Sequence, residues 1–359
     1  MNKDVYCKAS KDDFVLEIVY DDCCESPREW DNLGTMVCFH GRYDLGDEHD
    51  YKSPEDFFLD LLDDSHDELV ANDGFTSRLY YFWKQVIVDD GDLVDDLAIQ
   101  FLGIMEDETY PKLGDEFPAA RFGRMIAEAN SVWIDEFLDD AKEGELQDIL
   151  DSLDKYIILP LFLYDHSGIT MSTGPFSCPW DSGQVGWIYA SKQKFIDETG
   201  YSEAELFSTD SNRAPVIGER VKVEGRNDWG QVVSKAVAAI GAASRMNYEV
   251  DFDYGKIPSA HKPENIVIVP QHEITEVMSN RAVSMLVGEV KTYDLYIGGE
   301  CYGYRLSELK TCEYCGAVDE EEIDSCWGFF ADTLADLKEQ IKDNVPSEFH
   351  DLVDSLKRR

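Results

Sequence analysis

"KYIILPLFLYDHSGITMSTGPFSCPWDSGQVGWIYAS", residues 155–191, decides the architecture. Its first ten residues are a short, apolar, β-rich run, and VGWIYA at 185–190 repeats that character, so the two read as buried strands lying side by side. Between them Gly168, Gly174, Pro175, Pro179 and Gly183 interrupt a stretch rich in hydroxyls, which makes the connection a loop whose side chains bond their own backbone. Ser191 is placed to cap a helix that follows.

Working toward the N-terminus, FVLEIVY within 13–20 and TMVCFH at 35–40 read as strands, separated by the turn-rich CCESPREWDNLG. At SPEDFFLDLL, Ser53 is an N-cap, Pro54 suits the first helical position and Asp56 adds an acid to the first turn, so a helix starts there. Further helices are expected at 76–88, 117–141 and 144–154. In the clearest of them Phe122, Met125, Ile126, Ala129, Trp133 and Phe137 follow the 3.6-residue period, with acids opposite. Toward the C-terminus, 274–296 reads as a helix with Val277, Val283, Leu286, Val290 and Tyr293 near one side, stopped by Gly298 and Gly299. ECYGYRL at 300–306 and DSCWGFF at 324–330 are expected to pair within the same sheet as 156–164, before two terminal helices.

From Arg213 to Pro270 the composition breaks: 7 acidic and 8 basic residues inside a strongly acidic chain. Short strands follow one another there, and GERVKVEGRNDWGQVV, YEVDFDYG and ENIVIV resemble SH3-like barrels of the KOW type. That resemblance implies a small module able to contact protein or nucleic acid. The expected fold class is therefore α+β: a mixed sheet with surrounding helices and an inserted small SH3-like β-barrel. The expected domains are an acidic body at 1–204 (53–154 mainly helical), the barrel at 205–271, and a continuation of the body at 272–359.

The 359 residues include 74 Asp plus Glu against 32 Lys plus Arg, a net charge of −42; residues 1–150 alone hold 39 acids and 12 bases, a net −27. Such a field repels phosphate backbones and anionic lipid and attracts basic surfaces. It has three readings: solubility, divalent-cation binding, and imitation of a polyanion in a partner's DNA-binding groove. No stretch approaches the roughly 18 apolar residues of a membrane helix, and MNKDVYCKASKDDF lacks an apolar signal region. Nine irregularly spaced cysteines read as reduced thiols, so the expected location is the cytoplasm.

Three blocks, PREWDNLGTMVCFHGRYDLGDEH, LYDHSGITMSTGPFSCPWDSGQVGWIY and VGEVKTYDLYIGGECYGYRL with DSCWGFF, resemble a family of uncharacterised proteins carried by bacteriophages and plasmids, chiefly of Gram-positive bacteria. They cover roughly a third of the chain. The resemblance implies a mobile-element accessory protein working in the host cytoplasm, a setting that includes inhibitors of host defence. It implies no reaction.

Candidate chemistry is sparse. Asp165, His166 and Asp181, with Ser167 and Cys178, supply the residue types of a base, a nucleophile and carboxylates, but neighbours along a strand face opposite ways and no G-x-S-x-G elbow is present. Ser167, Thr170, Ser172, Thr173, Trp180 and Asp181 form a candidate recognition loop instead. His40 and His49, joined by Asp44, Asp47, Asp165, His166 or Asp181, could make a mixed site for Zn²⁺ or Mn²⁺. Cys312-x-x-Cys315 with Cys326 and Cys301 has one half of a zinc-knuckle spacing; buried thiols are the competing account. Nucleotide-binding glycine motifs are absent.

The combined expectation is a binding protein rather than an enzyme. Its anionic, DNA-mimic-like surface would inhibit a host defence or DNA-binding protein, and its partner would be a host protein with a basic surface. Direct nucleic-acid binding, a membrane and a cofactor other than zinc on the cysteines are not expected. The alternative is a metal-dependent hydrolase centred on His40, His49, Asp165, His166 and Asp181. A third reading makes the barrel a DNA-associated module.

Overall fold

The computed structural model describes residues 5–89, 119–176, 178, 180–207, 220–226, 230–240, 243–251, 266–278 and 281–357. It is an α+β protein, with three sheets among the described residues. The chain divides into two compact units: Met1–Thr35, Pro160–Ile188 and Val283–Arg359 form the first, and Met36–Leu159 with Tyr189–Ala282 form the second.

In the first unit, β1 (Val5–Lys11) and β2 (Phe14–Tyr20) form a hairpin. β12 (Cys301–Thr311) pairs with β2 from Tyr302↔Tyr20 to Glu308↔Phe14, and β13 (Val318–Phe330) lies outside it, in the order β1-β2-β12-β13. Every second residue points to the same face. Cys7, Ala9, Leu16, Ile18, Tyr302, Tyr304 and Leu306 are thereby buried against Leu337 and Ile341 of α10 (Leu334–Lys342) and Leu352 and Val353 of α11 (His350–Ser355). Each such aliphatic side chain contributes about 1.5–3 kcal/mol by leaving water. β12 and β13 do pair, as expected, but in this sheet and not in the one that holds 156–164. The edge they meet is β2, and β1 shields its far side; VYCKASK is too polar on its outer face to announce itself as a strand.

The second sheet has the order β3-β6-β4-β5, from β3 (Thr35–Cys38), β6 (Ser182–Ser191), β4 (Tyr156–Asp165) and β5 (Ile169–Ser172). β4 and β6 are neighbours, as the two apolar runs required. Ser191 Oγ accepts the N–H of Lys194 at 3.1 Å and starts α7 (Lys192–Thr199).

The helices of the second unit are α1 (Pro54–Asp63), α2 (His66–Ala71), α3 (Asp73–Asp89), α4 (Ala119–Ala129), α5 (Val132–Asp140) and α6 (Glu143–Leu153). Ser53 Oγ caps α1 through the N–H of Asp56 at 3.3 Å. The single helix expected over 117–141 is broken: Asn130 Oδ1 accepts the N–H of Val132 and ends one helix while starting the next. Ile126, Trp133 and Phe137 of the expected stripe are buried; the side chains of Phe122 and Ala129 lie outside the described ones. α3 and α4 cross at Gly123, where a Cβ would run into the backbone carbonyl of Thr76.

The third sheet is a curled half-barrel of β7 (Arg220–Val223), β8 (Gly230–Ile240), β9 (Ala243–Asp251), β10 (Ile266–Pro270) and β11 (Ile274–Met278), with a 3₁₀ turn at Gln271–Glu273 before its last strand. Its order is β10-β9-β8-β7-β11, with the last strand paired to the first. Val221, Val223, Val232, Tyr248, Val250, Val269 and Ile274 form its core. β11 corrects one expectation: Ile274–Met278 is a strand paired with β7, so the last strand lies beyond residue 271. The helix expected from 274 begins instead at α9 (Arg281–Ile297). The run ITEVM fits periods of 2 and 3.6 equally well, and the open edge of β7 decides between them. α9 then ends at Gly298 and Gly299 as expected, with Gly299 at φ 74°. No helix among the described residues is long and apolar enough to cross a membrane.

Candidate functional site

The loop between β4 and β6 is stapled to itself. Asp165 and Ile169 close a tight hairpin in which His166 N–H donates to Gly168 O at 3.0 Å and Ser167 takes φ 60°. Asp165 N–H donates to Asp181 O at 2.8 Å, which folds the far end of the loop back onto β4. Ser172 Oγ accepts from Gly174 N–H, and Ser182 Oγ donates to Cys178 O. Of the expected recognition residues, Ser167, Thr170 and Trp180 are exposed, the indole by 92%, whereas Thr173 is buried.

The structure does bring Asp181, His166 and Cys178 together. Asp181 Oδ2 stands 3.4 Å from His166 Nδ1 and 3.6 Å from Cys178 Sγ. The carboxylate is the middle member of this cluster. A thiol nucleophile needs the imidazole in that place, within reach of the sulfur. The arrangement orders a loop and presents a surface; it does not assemble a triad.

His40 and His49 line a separate cavity of about 560 Å³ over residues 38–50, with Tyr43, Asp44, Asp47 and Glu48. His40 Nδ1 accepts the N–H groups of Arg42 and Tyr43, and His49 Nε2 faces Cys38 O at 3.0 Å. These histidines belong to the second unit, whereas Asp165, His166 and Asp181 belong to the first. Among the described residues no group of three or more His, Cys, Asp or Glu is arranged to hold a metal ion.

The four cysteines of the expected zinc set are spread along one hairpin. Cys312 and Cys315 sit at its tip, while Cys326 pairs with Tyr304 and Cys301 with Phe330. Seven residues of strand separate Tyr304 from Thr311, about 23 Å at 3.3 Å per residue, so the four sulfurs do not converge. Cys301 is buried, and burial, followed by the neighbouring Cys24 thiol, pushes its pKa far up.

The carboxylates that organise the first unit are Glu289 and Asp294, two of the 74 acids and neither distinguished from the rest by local motif. Glu289 on α9 accepts from the backbone N–H groups of Leu33 and Gly34 and pairs with Arg28 Nη1 at 3.2 Å, while Arg28 Nη2 donates to Gly34 O. Asp294 accepts the N–H of Met171 at 2.7 Å. One signal was available for Glu289: it falls between Leu286 and Tyr293, on the apolar stripe of its helix. The blocks PREWDNLG, DHSGITMS and VGEVKTYD are thus tied to one another, so their side chains have an architectural use.

Burial raises the pKa of Asp294 above the ordinary 3.8, and the Met171 N–H opposes the shift. A carboxyl whose folded pKa is raised favours the native state while protonated; that contribution is lost as pH rises through the window above 3.8. Asp294→Asn keeps an acceptor for Met171 and removes the charge. Its stability relative to the parent is expected to increase as pH rises above 3.8 and then level off, read from urea midpoints at constant ionic strength. A pH-independent difference would show that Asp294 is not desolvated in this way.

Comparison with protein families, with curated proteins and with solved structures finds no match to this chain. What the fold and the site define is an acidic α+β protein with a self-ordered exposed loop and a half-barrel sheet.

Proposed function

We propose that the protein acts by binding a basic partner through an anionic surface, as a phage- or mobile-element accessory protein that blocks a host defence or DNA-binding protein. The observation that supports this reading is the outer face of the helices between residues 54 and 153. Asp56, Asp60, Asp63, Asp64, Asp67, Glu68, Asp73, Asp135, Glu136, Asp139, Asp140, Glu145 and Asp148 are all exposed there. The opposite faces of the same helices bury Phe57, Leu61, Leu69, Phe75, Trp133, Phe137, Leu146 and Leu150. The acids are therefore held at fixed positions on an ordered scaffold, and a cationic groove could meet them without ordering a flexible chain first.

The test is capture of host-cell proteins on the immobilised chain at low salt, followed by elution with salt or with double-stranded DNA. Bound species are expected to leave with DNA, and their affinity to fall on the order of tenfold or more between low and physiological ionic strength. Binding indifferent to both would refute mimicry.

A further inference from the structure

Strand β13 is the outermost strand of its sheet, and no strand lies beyond it among the described residues. Its first half runs clear of the protein: β2 pairs with β12 only as far as Glu308, and every residue from 310 to 323 is exposed. Register shifts interrupt its pairing with β12 between Glu322 and Asp324 and again between Cys326 and Phe329. The regular run that remains is Val318–Glu322, five residues.

The hydrogen bonds of the hairpin fix which backbone groups face outward along that run. Cys312 N–H donates to Ala317 O at 2.8 Å, which makes this a hydrogen-bonded pair. In an antiparallel ladder such pairs alternate with pairs whose N–H and C=O groups point away from each other. Thr311↔Val318, Leu309↔Glu320 and Ser307↔Glu322 are pairs of the second kind. Two bonds agree: Leu309 N–H donates away from β13 to Asp13 O at 2.6 Å, and Glu320 N–H donates to the Asp319 carboxylate at 3.1 Å rather than to β12. Val318, Glu320 and Glu322 therefore turn their backbone groups to the open edge, the template on which a further strand adds.

The side chains choose the occupant. Residues 307–324 hold seven acids and one base, Lys310, whose ammonium is engaged by Glu308 and Glu321. Glu320 and Glu322 project from the same face of β13. Like charges directly opposite one another across strands are destabilising, so two copies of this edge repel and a cationic strand fits.

We propose that the open edge of β13 takes up an extended basic segment of a partner as an added strand, with Lys or Arg at every second position opposite Glu320 and Glu322. The segment's backbone bonds to Val318, Glu320 and Glu322, displacing the Asp319 carboxylate from the Glu320 N–H. The site uses none of the helical acids, which belong to the second unit, so this proposal and the function proposed above can fail independently.

The experiment titrates the full chain into a fluorescent, end-blocked peptide alternating Lys with Val or Thr, read by anisotropy at physiological ionic strength, where diffuse attraction to the rest of the acidic surface is screened. Saturable binding is expected, with hydrogen exchange slowed at the amides of Glu320 and Glu322. N-methylation of the Lys amides, which face β13, should weaken binding by about tenfold or more, and N-methylation of the intervening amides should not. Glu320→Pro removes one outward N–H at an edge position that tolerates proline and should also weaken binding about tenfold. Glu320→Lys/Glu322→Lys should transfer the preference to the corresponding Glu peptide. Asp343→Asn/Glu348→Gln, which removes two exposed charges elsewhere in the same unit, should bind as the parent does. No binding, equal loss for the two methylated peptides, binding indifferent to Glu320→Lys/Glu322→Lys, or a chain that doubles its mass from 40.8 kDa and excludes the peptide would each overturn the proposal.

Discussion

Glu289→Ala is expected to destabilise the protein by about 3–5 kcal/mol, the usual cost of removing one partner from a buried ion pair. The Arg28 side chain is 6% exposed and that of Glu289 16%, so water cannot replace the lost carboxylate. The substitution also strands the N–H groups of Leu33 and Gly34, which both donate to Glu289. Glu289→Gln keeps an oxygen for those amides and loses the charge, so its cost should be about 1–3 kcal/mol. Urea unfolding measures both, and amide exchange at residues 33 and 34 should quicken in the alanine variant. A loss below about 1 kcal/mol for Glu289→Ala would mean that the 26–34 loop is held by its other contacts, among them the Ser26 cap, the Asn32 side-chain bonds to Pro27 O and Trp30 O and the Arg28 bond to Gly34 O.

The second large effect belongs to Gly123. Its added Cβ would overlap the Thr76 carbonyl, a backbone group that cannot rotate out of the way, so α3 and α4 must move apart. Overpacking of this kind costs about 1–3 kcal/mol or more, against which alanine gains about 1 kcal/mol of helix propensity over glycine. Gly123→Ala should therefore lose about 1–2 kcal/mol, and Gly123→Val, with a larger and branched side chain, more. Gly288 on α9 is the internal control: nothing lies within 4 Å of its virtual Cβ, and Gly288→Ala should stabilise by up to about 1 kcal/mol. Thermal or urea midpoints of the two alanine variants should move in opposite directions. Shifts of the same sign would show that α3 and α4 do not cross at this contact distance.

Much of the loop was legible in advance. Ser172 and Ser182 bond nearby backbone, and Trp180 is presented to solvent. The order of the His166, Asp181 and Cys178 groups was not legible, because residue types carry no information about which one ends up in the middle. The same limit applies to the thiols. A Cys-x-x-Cys spacing is visible in sequence, whereas the distance to Cys326 follows from a strand register that only pairing establishes.

What the sequence by itself determined was local. Ser53 and Pro54 start a helix, Gly298 and Gly299 end one, and the apolar runs in β4 and β6 become adjacent buried strands, because capping, chain reversal and hydrophobic periodicity act over a few residues. Only the tertiary structure decided which edges meet, β2 with β12 and β7 with β11, and which acids leave the surface to become Glu289's latch on residues 28–34 and Asp294's hold on Met171. Strand edges carry the same N–H and C=O groups whatever their sequence, and a carboxylate's burial depends on neighbours hundreds of residues away.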